Sequence, residues 1–299
     1  HVKRYTTTGM ATDQGKTSNM HALGIIAETA GVKMGSLGTT TFRPPFTPLT
    51  FGAIVGRNVG NFFDITRKTA IHEWHVSNNA EFENVGQWKR PWYYPKNNED
   101  MHQAVQRESL AARESAGILD ASTLGKIDIQ GTDASEFLNR VYTNAWSKLA
   151  IGKCRYGLML NEDGMVYDDG VTTRIGENHY IMTTTTGGAA NVLGKLEDYL
   201  QTEWPELDVY LTSVTDHYST ASICGPNSKK ILMKLFPDVK FDDENFPHMS
   251  FQNASLDKVN CRIMRISFTG EHSYEINIEA KYGKSLWEKC IEAGKEFNI

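Results

Sequence analysis

YGLMLNEDGMVYDDGVTTR, residues 156–174, combines two strand-like runs with a tight-turn motif. Two mostly apolar runs, 156–160 and 165–174, flank the turn Asn161-Glu162-Asp163-Gly164. Asn, Asp and Gly suit the backbone of a tight turn, and apolar runs on both sides of such a turn indicate a β-hairpin. The sequence therefore predicts two antiparallel strands joined by this turn.

Two acidic residues, Asp168 and Asp169, interrupt the second apolar run. Side chains alternate across a strand, so the two carboxylates are expected to face opposite sides of the sheet. We expect Asp169 to point into the interior with Tyr167 and Val171, and Asp168 to point away from it. An interior carboxylate is costly unless it is paired or used. The alternative, two acids that bind loop amides near a hairpin, stays open.

Interleaved strands and helices surround the hairpin. Apolar spacing predicts strands at 126–130, 179–184, 208–214, 220–224, 261–268 and 273–278. It predicts helices at 20–30, 101–116, 189–203, 228–236 and 282–294, and a further helix after Asp133 and Glu136, which resemble a capping box. Many connections are hairpins, so the pattern favours an α+β fold over a doubly wound parallel sheet.

Composition excludes several classes of function. The 299 residues carry a net charge of −5 without a basic run, which argues against a nucleic-acid partner and a polybasic membrane anchor. No apolar stretch reaches the ~18 residues that span a bilayer. The four cysteines are far apart and indicate reduced, buried side chains, so we expect a cytoplasmic protein. His72-Glu73-Trp74-His75 lacks the spacing of a zinc helix, which favours a structural role and no metal site.

The N-terminal segment carries a candidate anion site. An extended segment is predicted at 2–8, and Asp13, Gln14 and Gly15 lie between it and the first helix. Free N–H groups at such a junction can bind the phosphates of a dinucleotide. Thr12 or Asp13 could equally be an ordinary N-cap. Because the chain starts at His1 and stops directly after a predicted helix, we expect it to be a piece of a longer polypeptide.

Two further motifs are ambiguous from the residues alone. Glu275 lies in an apolar strand between Tyr274 and Ile276, and a salt bridge explains it as well as a functional role does. The run Thr183-Thr184-Thr185-Thr186-Gly187-Gly188 could hold a phosphate, but it lacks the ending of a P-loop, and a hydroxyl-rich helix start is commoner.

Several motifs resemble a known family. The runs 116–126 and 131–138, together with 158–164, Asp168-Asp169 and 268–271, resemble the folate-binding domain of the glycine-cleavage T-protein (aminomethyltransferase) family. This resemblance covers about residues 104–299. The preceding stretches, 5–19 and 85–94, look like those of the alpha subunits of heterotetrameric sarcosine oxidases.

The resemblance implies a division into three parts. Residues 1–38 would be the C-terminal tail of a dinucleotide-binding region, and 39–100 an ordered connecting strap rich in Pro and Trp. Residues 101–299 would form an incomplete T-protein-like domain, whose C-terminal barrel would lie beyond Ile299.

The resemblance also implies an activity. Such an oxidoreductase oxidises sarcosine on a flavin of its beta subunit, and the T-protein-like domain captures the one-carbon unit on tetrahydrofolate as 5,10-methylenetetrahydrofolate. The implied partners are the beta, gamma and delta subunits. NAD and flavin belong to the full assembly and are not expected on this chain alone, which is expected to be inactive. A stand-alone aminomethyltransferase of the glycine-cleavage type and a non-catalytic folate-binding module are the alternatives.

The family's site residues carry over onto four positions. The carboxylate near the folate N5 and N10 atoms falls on Asp169, which becomes the candidate catalytic residue, and the acid that holds the pterin ring falls on Glu275. The usual Tyr beside the pterin is Phe268 here, which could still stack. The usual Asn is Thr184, a departure that fits a sarcosine-oxidase-type site better. The candidate dinucleotide-binding residues remain Asp13, Gln14 and Gly15.

Overall fold

A computed structural model describes residues 1–44, 49–57, 60 and 65–299. Most of the proline-rich start of the predicted strap, residues 45–48, therefore lies outside the described residues. The chain divides into two compact units, His1–Ile65 and Thr66–Ile299. The part of the strap from Thr66 onward thus belongs to the larger unit, and the boundaries at 38 and 100 stay predictions.

The smaller unit contains the helices α1 (Val2–Thr6), α2 (Asn19–Ala30) and α3 (Phe51–Val55). Helix α2 confirms the predicted apolar spacing and ends at Gly31, which has a left-handed backbone with φ of 64°. The predicted extended segment at 2–8 is wrong, because residues 2–6 form α1. A helical turn satisfies its own backbone groups, whereas a single strand would leave them without partners.

The larger unit begins with α4 (His72–Ser77), a hairpin of β1 (Glu81–Val85) and β2 (Trp88–Tyr93), and α5 (Met101–Glu114). Asp100 caps α5: its carboxylate accepts a hydrogen bond from the Gln103 backbone, and the Gln103 side chain accepts one from the Asp100 backbone. The residues of β1 and β2 do not alternate clearly between apolar and polar side chains, so the sequence does not predict this hairpin.

Two antiparallel sheets follow, each of five strands within the described part of the chain. The first sheet has the order β10 (Ser250–Leu256), β11 (Val259–Arg265), β12 (Ser273–Glu279), β9 (Tyr218–Cys224) and β3 (Gly117–Asp120). The second sheet has the order β5 (Cys154–Leu160), β6 (Val166–Gly176), β7 (His179–Thr184), β4 (Gly125–Gln130) and β8 (Tyr210–Ser213). The decisive hairpin of the sequence is the β5–β6 pair, which confirms that prediction.

Helices cover the outer face of each sheet. In the first core cluster, α8 (Ser228–Leu235) and α9 (Gly283–Gly294) pack on β9 and β12. In the second, α6 (Ala134–Val141) and α7 (Ala189–Asp198) pack on β4 and β7. This arrangement confirms the α+β prediction, and burial of these apolar faces is the main stabilising contribution.

The capping box predicted at the start of α6 does not form. The Asp133 carboxylate accepts a hydrogen bond from the Asp208 backbone instead, and Glu136 forms an ion pair with Arg140 one turn along the helix. Asp133 therefore ties α6 to the loop before β8, a partner that is 75 residues away and invisible to local sequence patterns.

Candidate functional site

The inner faces of the two sheets pack on each other through a small third cluster. Cys154 and Val171 of the second sheet contact Met264 and Phe251 of the first. Beside this apolar contact the inner faces carry many buried polar side chains, namely Thr173, Thr220, Ser222, Ser273, Glu275, Asn277 and Lys126. Domain interiors are normally apolar, so a polar region between two sheets is a candidate binding cleft. We call it the inter-sheet cleft.

Glu275 lies on β12 at the inner face. Its neighbours Tyr274 and Ile276 belong to the outer core, so alternation directs Glu275 toward the cleft. Its exposed fraction is 8%, and among the described residues no group donates a hydrogen bond to its carboxylate. Burial raises the pKa of Glu275, and the ammonium group of Lys126 opposes that rise. The carboxylate oxygens are not among the fully buried atoms that lack a partner, so they remain accessible from the cleft and can accept hydrogen bonds from a ligand.

Lys126 is a buried cation that the sequence analysis did not single out. It lies on β4, where Ile127 and Ile129 belong to the outer core, so it faces the cleft side. Its Nζ atom donates to the main-chain oxygens of Ala121, Ser122 and Leu124 at 3.0–3.4 Å. Burial lowers the pKa of Lys126 to about 8. In the sequence it resembles an ordinary surface residue of an alternating strand.

Asp169 lies on the inner face of β6, on the same side as Val171, as predicted. It is half-buried, and its Oδ2 atom accepts a hydrogen bond from the phenol of Tyr156 at 2.8 Å. This bond raises the pKa of Tyr156. Tyr156 is a second polar residue of the cleft that sequence reasoning missed.

As expected, Asp168 faces the opposite side of the sheet from Asp169, but it is buried there and not solvated. Asp168 is 4% exposed and accepts hydrogen bonds from the Thr185 backbone at 3.3–3.4 Å, and burial raises its pKa. It pairs with Met159, a residue of the outer core, so it lies on the helix side of the sheet. Asp168 therefore satisfies loop amides, which was the alternative interpretation for this pair.

A β-bulge explains why the alternation failed locally. Met159 pairs with Asp168 but Leu160 pairs with Val166, which leaves Tyr167 as the extra residue. Tyr167 consequently packs with the outer core, and the Lys195 ammonium lies 4.1 Å from its ring centre. The prediction that Tyr167 shares a face with Asp169 is therefore wrong.

The other two residues carried over from the family lie elsewhere. Thr184 is buried, its hydroxyl donates to the Thr185 oxygen, and it lies against Gly125 and Ala189 on the helix side. Phe268 is 88% exposed in the loop between β11 and β12. The structure thus places Asp169 and Glu275 on the inner faces, Phe268 on the surface and Thr184 on the opposite face from Asp169.

The predicted dinucleotide residues form a turn that binds its own chain. The Asp13 carboxylate accepts from the Gly15 backbone and from the Thr17 hydroxyl, both at 3.2 Å. Gln14 binds the backbone of Arg43 through both ends of its side-chain amide. The N-cap of α2 is Ser18, so the alternative that Thr12 or Asp13 caps this helix is wrong. A dinucleotide site here stays a prediction.

His75 belongs to a buried hydrogen-bond network, in accordance with the structural role predicted for its motif. Its Nε2 atom lies 3.0 Å from Asp120, and its Nδ1 atom lies 2.7 Å from the phenol of Tyr94. Asp120 also accepts from the Thr69 hydroxyl and from the Ser122 backbone. The network fixes the loop whose carbonyls bind Lys126. Among the described residues, no group of three or more potential metal ligands is present.

A separate cavity of about 770 Å³ lies in the larger unit, bordered by Trp74, Tyr94, Arg107, Cys224 and Ile299 among others. Neither Asp169, Lys126 nor Glu275 lines it. The described helices are all too short or too polar to cross a membrane.

Comparisons with known proteins agree with this architecture. Residues 71–299 match the model of the GCVT N-terminal domain, and residues 1–57 match that of the sarcosine oxidase A3 domain. The whole chain is 53% identical to a sarcosine oxidase subunit alpha from Corynebacterium sp. (strain U-96) and 48% identical to one from Rhizobium meliloti. It spans only 31% and 30% of the length of these relatives.

An aminomethyltransferase from Chlorobium limicola is 30% identical over 78% of this chain and 61% of its own length. The structure of glycine cleavage system aminomethyltransferase T from Bartonella henselae superimposes with a TM-score of 0.63. That match covers 75% of this chain and 57% of the other at 24% identity, so it shows the shared fold.

Proposed function

Since the chain belongs to the GCVT N-terminal domain family and is homologous over its full length to sarcosine oxidase alpha subunits, we propose that it is part of such a subunit and binds tetrahydrofolate in the inter-sheet cleft. There it captures the one-carbon unit of oxidised sarcosine as 5,10-methylenetetrahydrofolate. The match of residues 1–57 to a sarcosine oxidase domain favours this role over a stand-alone aminomethyltransferase.

The observation that carries the proposal is the carboxylate of Glu275. It is buried on an inner face and lacks a hydrogen-bond donor among the residues that the structure describes. A ring with adjacent N–H donors, such as a reduced pterin, supplies the donors that this carboxylate needs. The residues present therefore fit the ring, and Glu275 would hold and orient it.

Asp169 would serve the transfer step. Tetrahydrofolate supplies the nitrogen atoms that accept the one-carbon unit. Positive charge develops as that unit is transferred, and a carboxylate at the inner face stabilises such charge. The carboxylate can also accept the proton that is released, and the Tyr156 phenol fixes its position through their hydrogen bond at 2.8 Å. A non-catalytic folate-binding module would not need this second acid.

Oxidation of sarcosine is assigned to partner subunits in the same proposal. The flavin would reside on a beta subunit, with gamma and delta subunits completing the assembly, and NAD would bind the region to which residues 1–38 contribute. We expect the isolated chain to lack flavin. A yellow preparation that oxidises sarcosine without partners would contradict this division.

Calorimetric titration of tetrahydrofolate into the chain tests the proposed site. Wild type is expected to bind, and Glu275→Gln is expected to weaken binding by about tenfold or more, because hydrogen bonds to a charged acceptor contribute about 1.5–3 kcal/mol. Glu279→Gln is the matched control, since Glu279 lies on the same strand but pairs with Lys281 at the surface. No heat with wild type, or equal losses in both variants, would refute the proposal.

A further inference from the structure

Lys126 has a buried ammonium group that contacts no carboxylate of the residues that the structure describes. It is 2% exposed, and its three hydrogen-bond acceptors are the neutral carbonyl oxygens of Ala121, Ser122 and Leu124. A lysine ammonium has three N–H donors. The three carbonyls therefore use all of them, and none remains for an acid.

The carbonyls that bind Lys126 are held in place independently of it. The Ser122 backbone donates to Asp120 at 3.0 Å, and the buried side chain of His75 lies 3.0 Å from the same carboxylate. The loop thus gives the ammonium a fixed position. The ammonium cannot move toward Glu275 without breaking its bonds to these carbonyls.

Lys126 and Glu275 are buried on the inner faces of the two sheets, at 2% and 8% exposure, so their opposite charges interact in a region that largely excludes water. The carboxylate of Glu275 is the strongest of the charges that raise the pKa of Lys126, ahead of Asp120 and Asp216. In the reverse direction, Lys126 lowers the pKa of Glu275. The thiol of Cys154 on β5 also faces Glu275, and burial raises its pKa to about 11, so that it stays neutral near pH 7. The carboxylate of Asp169 lies on the inner face of the same sheet as Lys126.

We infer that Lys126 is a positioning residue of the cleft, whose buried charge favours the ionised form of Glu275 while leaving both of its carboxylate oxygens free for a ligand. A buried carboxylate without a nearby cation binds a proton and becomes a donor. An ionised carboxylate only accepts, so Lys126 makes the cleft select rings that present N–H donors. The identity of the ring as a pterin rests on the proposed function; the charge coupling does not.

The coupling can be measured without any ligand, by following the Glu275 carboxyl carbon by NMR as the pH is changed. Lys126→Met removes the charge and keeps the length of the side chain. It is expected to raise the midpoint of the Glu275 titration by about one pH unit or more. Lys195→Met is the control, because Lys195 lies over Tyr167 on the outer side of the sheet. An unchanged midpoint in Lys126→Met, or an equal shift in both variants, would overturn the inference.

A second variant covers the case in which Lys126→Met does not fold. Glu275→Gln keeps the shape of the side chain, and reciprocity requires it to lower the titration midpoint of the Lys126 ammonium, followed by nitrogen NMR, by a similar amount. A midpoint that stays at the wild-type value would overturn the inference.

Calorimetry with tetrahydrofolate then separates this inference from the proposed function. Lys126→Met is expected to bind about tenfold more weakly at neutral pH and to recover affinity as the pH rises through the new Glu275 midpoint, which a merely structural defect would not do. If each substitution shifts the titration midpoint of the other residue but wild type does not bind tetrahydrofolate, the proposed ligand is refuted and the inference about Lys126 is supported. Weak binding with no pH dependence would count against Lys126 as a positioning residue.

Discussion

Replacing each of the two adjacent acids of β6 by its amide should separate their roles. Asp169→Asn removes the charge at the inner face but keeps an oxygen that accepts from the Tyr156 phenol, now bound at 2.8 Å. We expect the rate of 5,10-methylenetetrahydrofolate formation to fall by about 10²–10³-fold, or roughly 3–4 kcal/mol, which is typical for the loss of one charge-stabilising group.

Asp168→Asn is the matched control. Asp168 is buried on the helix side, where its carboxylate accepts from the Thr185 backbone at 3.3 Å, and the amide oxygen can accept the same bond. We expect the transfer rate to change by less than about threefold. Because a neutral side chain avoids the cost of burying charge, the free energy of unfolding should not fall by more than about 1 kcal/mol.

The assay is a single-turnover measurement on the assembled enzyme supplied with sarcosine and tetrahydrofolate. Sarcosine oxidation without folate is measured in parallel and should be unaffected by either substitution, since that chemistry is assigned to a partner. Equal effects of Asp168→Asn and Asp169→Asn on transfer would refute the assignment of Asp169.

Three further predictions concern stability and binding. His75→Ala removes a hydrogen-bond partner of the buried Asp120 and should lower the free energy of unfolding, measured in denaturant, by about 3–5 kcal/mol. Tyr94→Phe removes one hydrogen bond to His75 and should lower it by only about 1 kcal/mol, so equal losses would contradict the network. Burial lowers the pKa of Lys126 from 10.5 to about 8, so between pH 8 and 10 the unfolded state binds more protons than the folded state. The free energy of unfolding of wild type should therefore rise by about 2–3 kcal/mol over this range, and that of Lys126→Met should not. A flat profile in wild type would contradict this. Because the ring of Phe268 is exposed, Phe268→Ala should leave the free energy of unfolding within about 0.5 kcal/mol of the wild-type value. It should weaken tetrahydrofolate binding by about tenfold through the loss of stacking, and an unchanged affinity would exclude Phe268 from the site.

Local signals in the sequence were enough to predict most of the second sheet and its helices. The turn at Asn161–Gly164 specified the β5–β6 hairpin, and Gly31 marked the end of α2. Both features depend on a few adjacent residues whose backbone preferences agree with their surroundings.

The site was predictable only in part, because its geometry depends on distant partners. The bulge at Tyr167 arises from the pairing of β6 with β5 and places Tyr167 on the opposite side of the sheet from Asp169. Lys126 lies in β4, and both faces of this strand are buried. The alternation of apolar and polar residues therefore does not reveal that the Lys126 side chain is buried. The partners of His75 lie 19 and 45 residues along the chain, beyond the range of any local pattern.

A crystal structure of the chain with bound 5-formyltetrahydrofolate would show where the pterin ring lies and so decide whether folate binds in the inter-sheet cleft. We expect pterin N–H groups to lie within about 3 Å of the Glu275 carboxylate, in the inter-sheet cleft and on the same side as Asp169. A pterin ring found in the separate cavity beside Trp74 and Arg107, with the Glu275 carboxylate still without a donor, would contradict it.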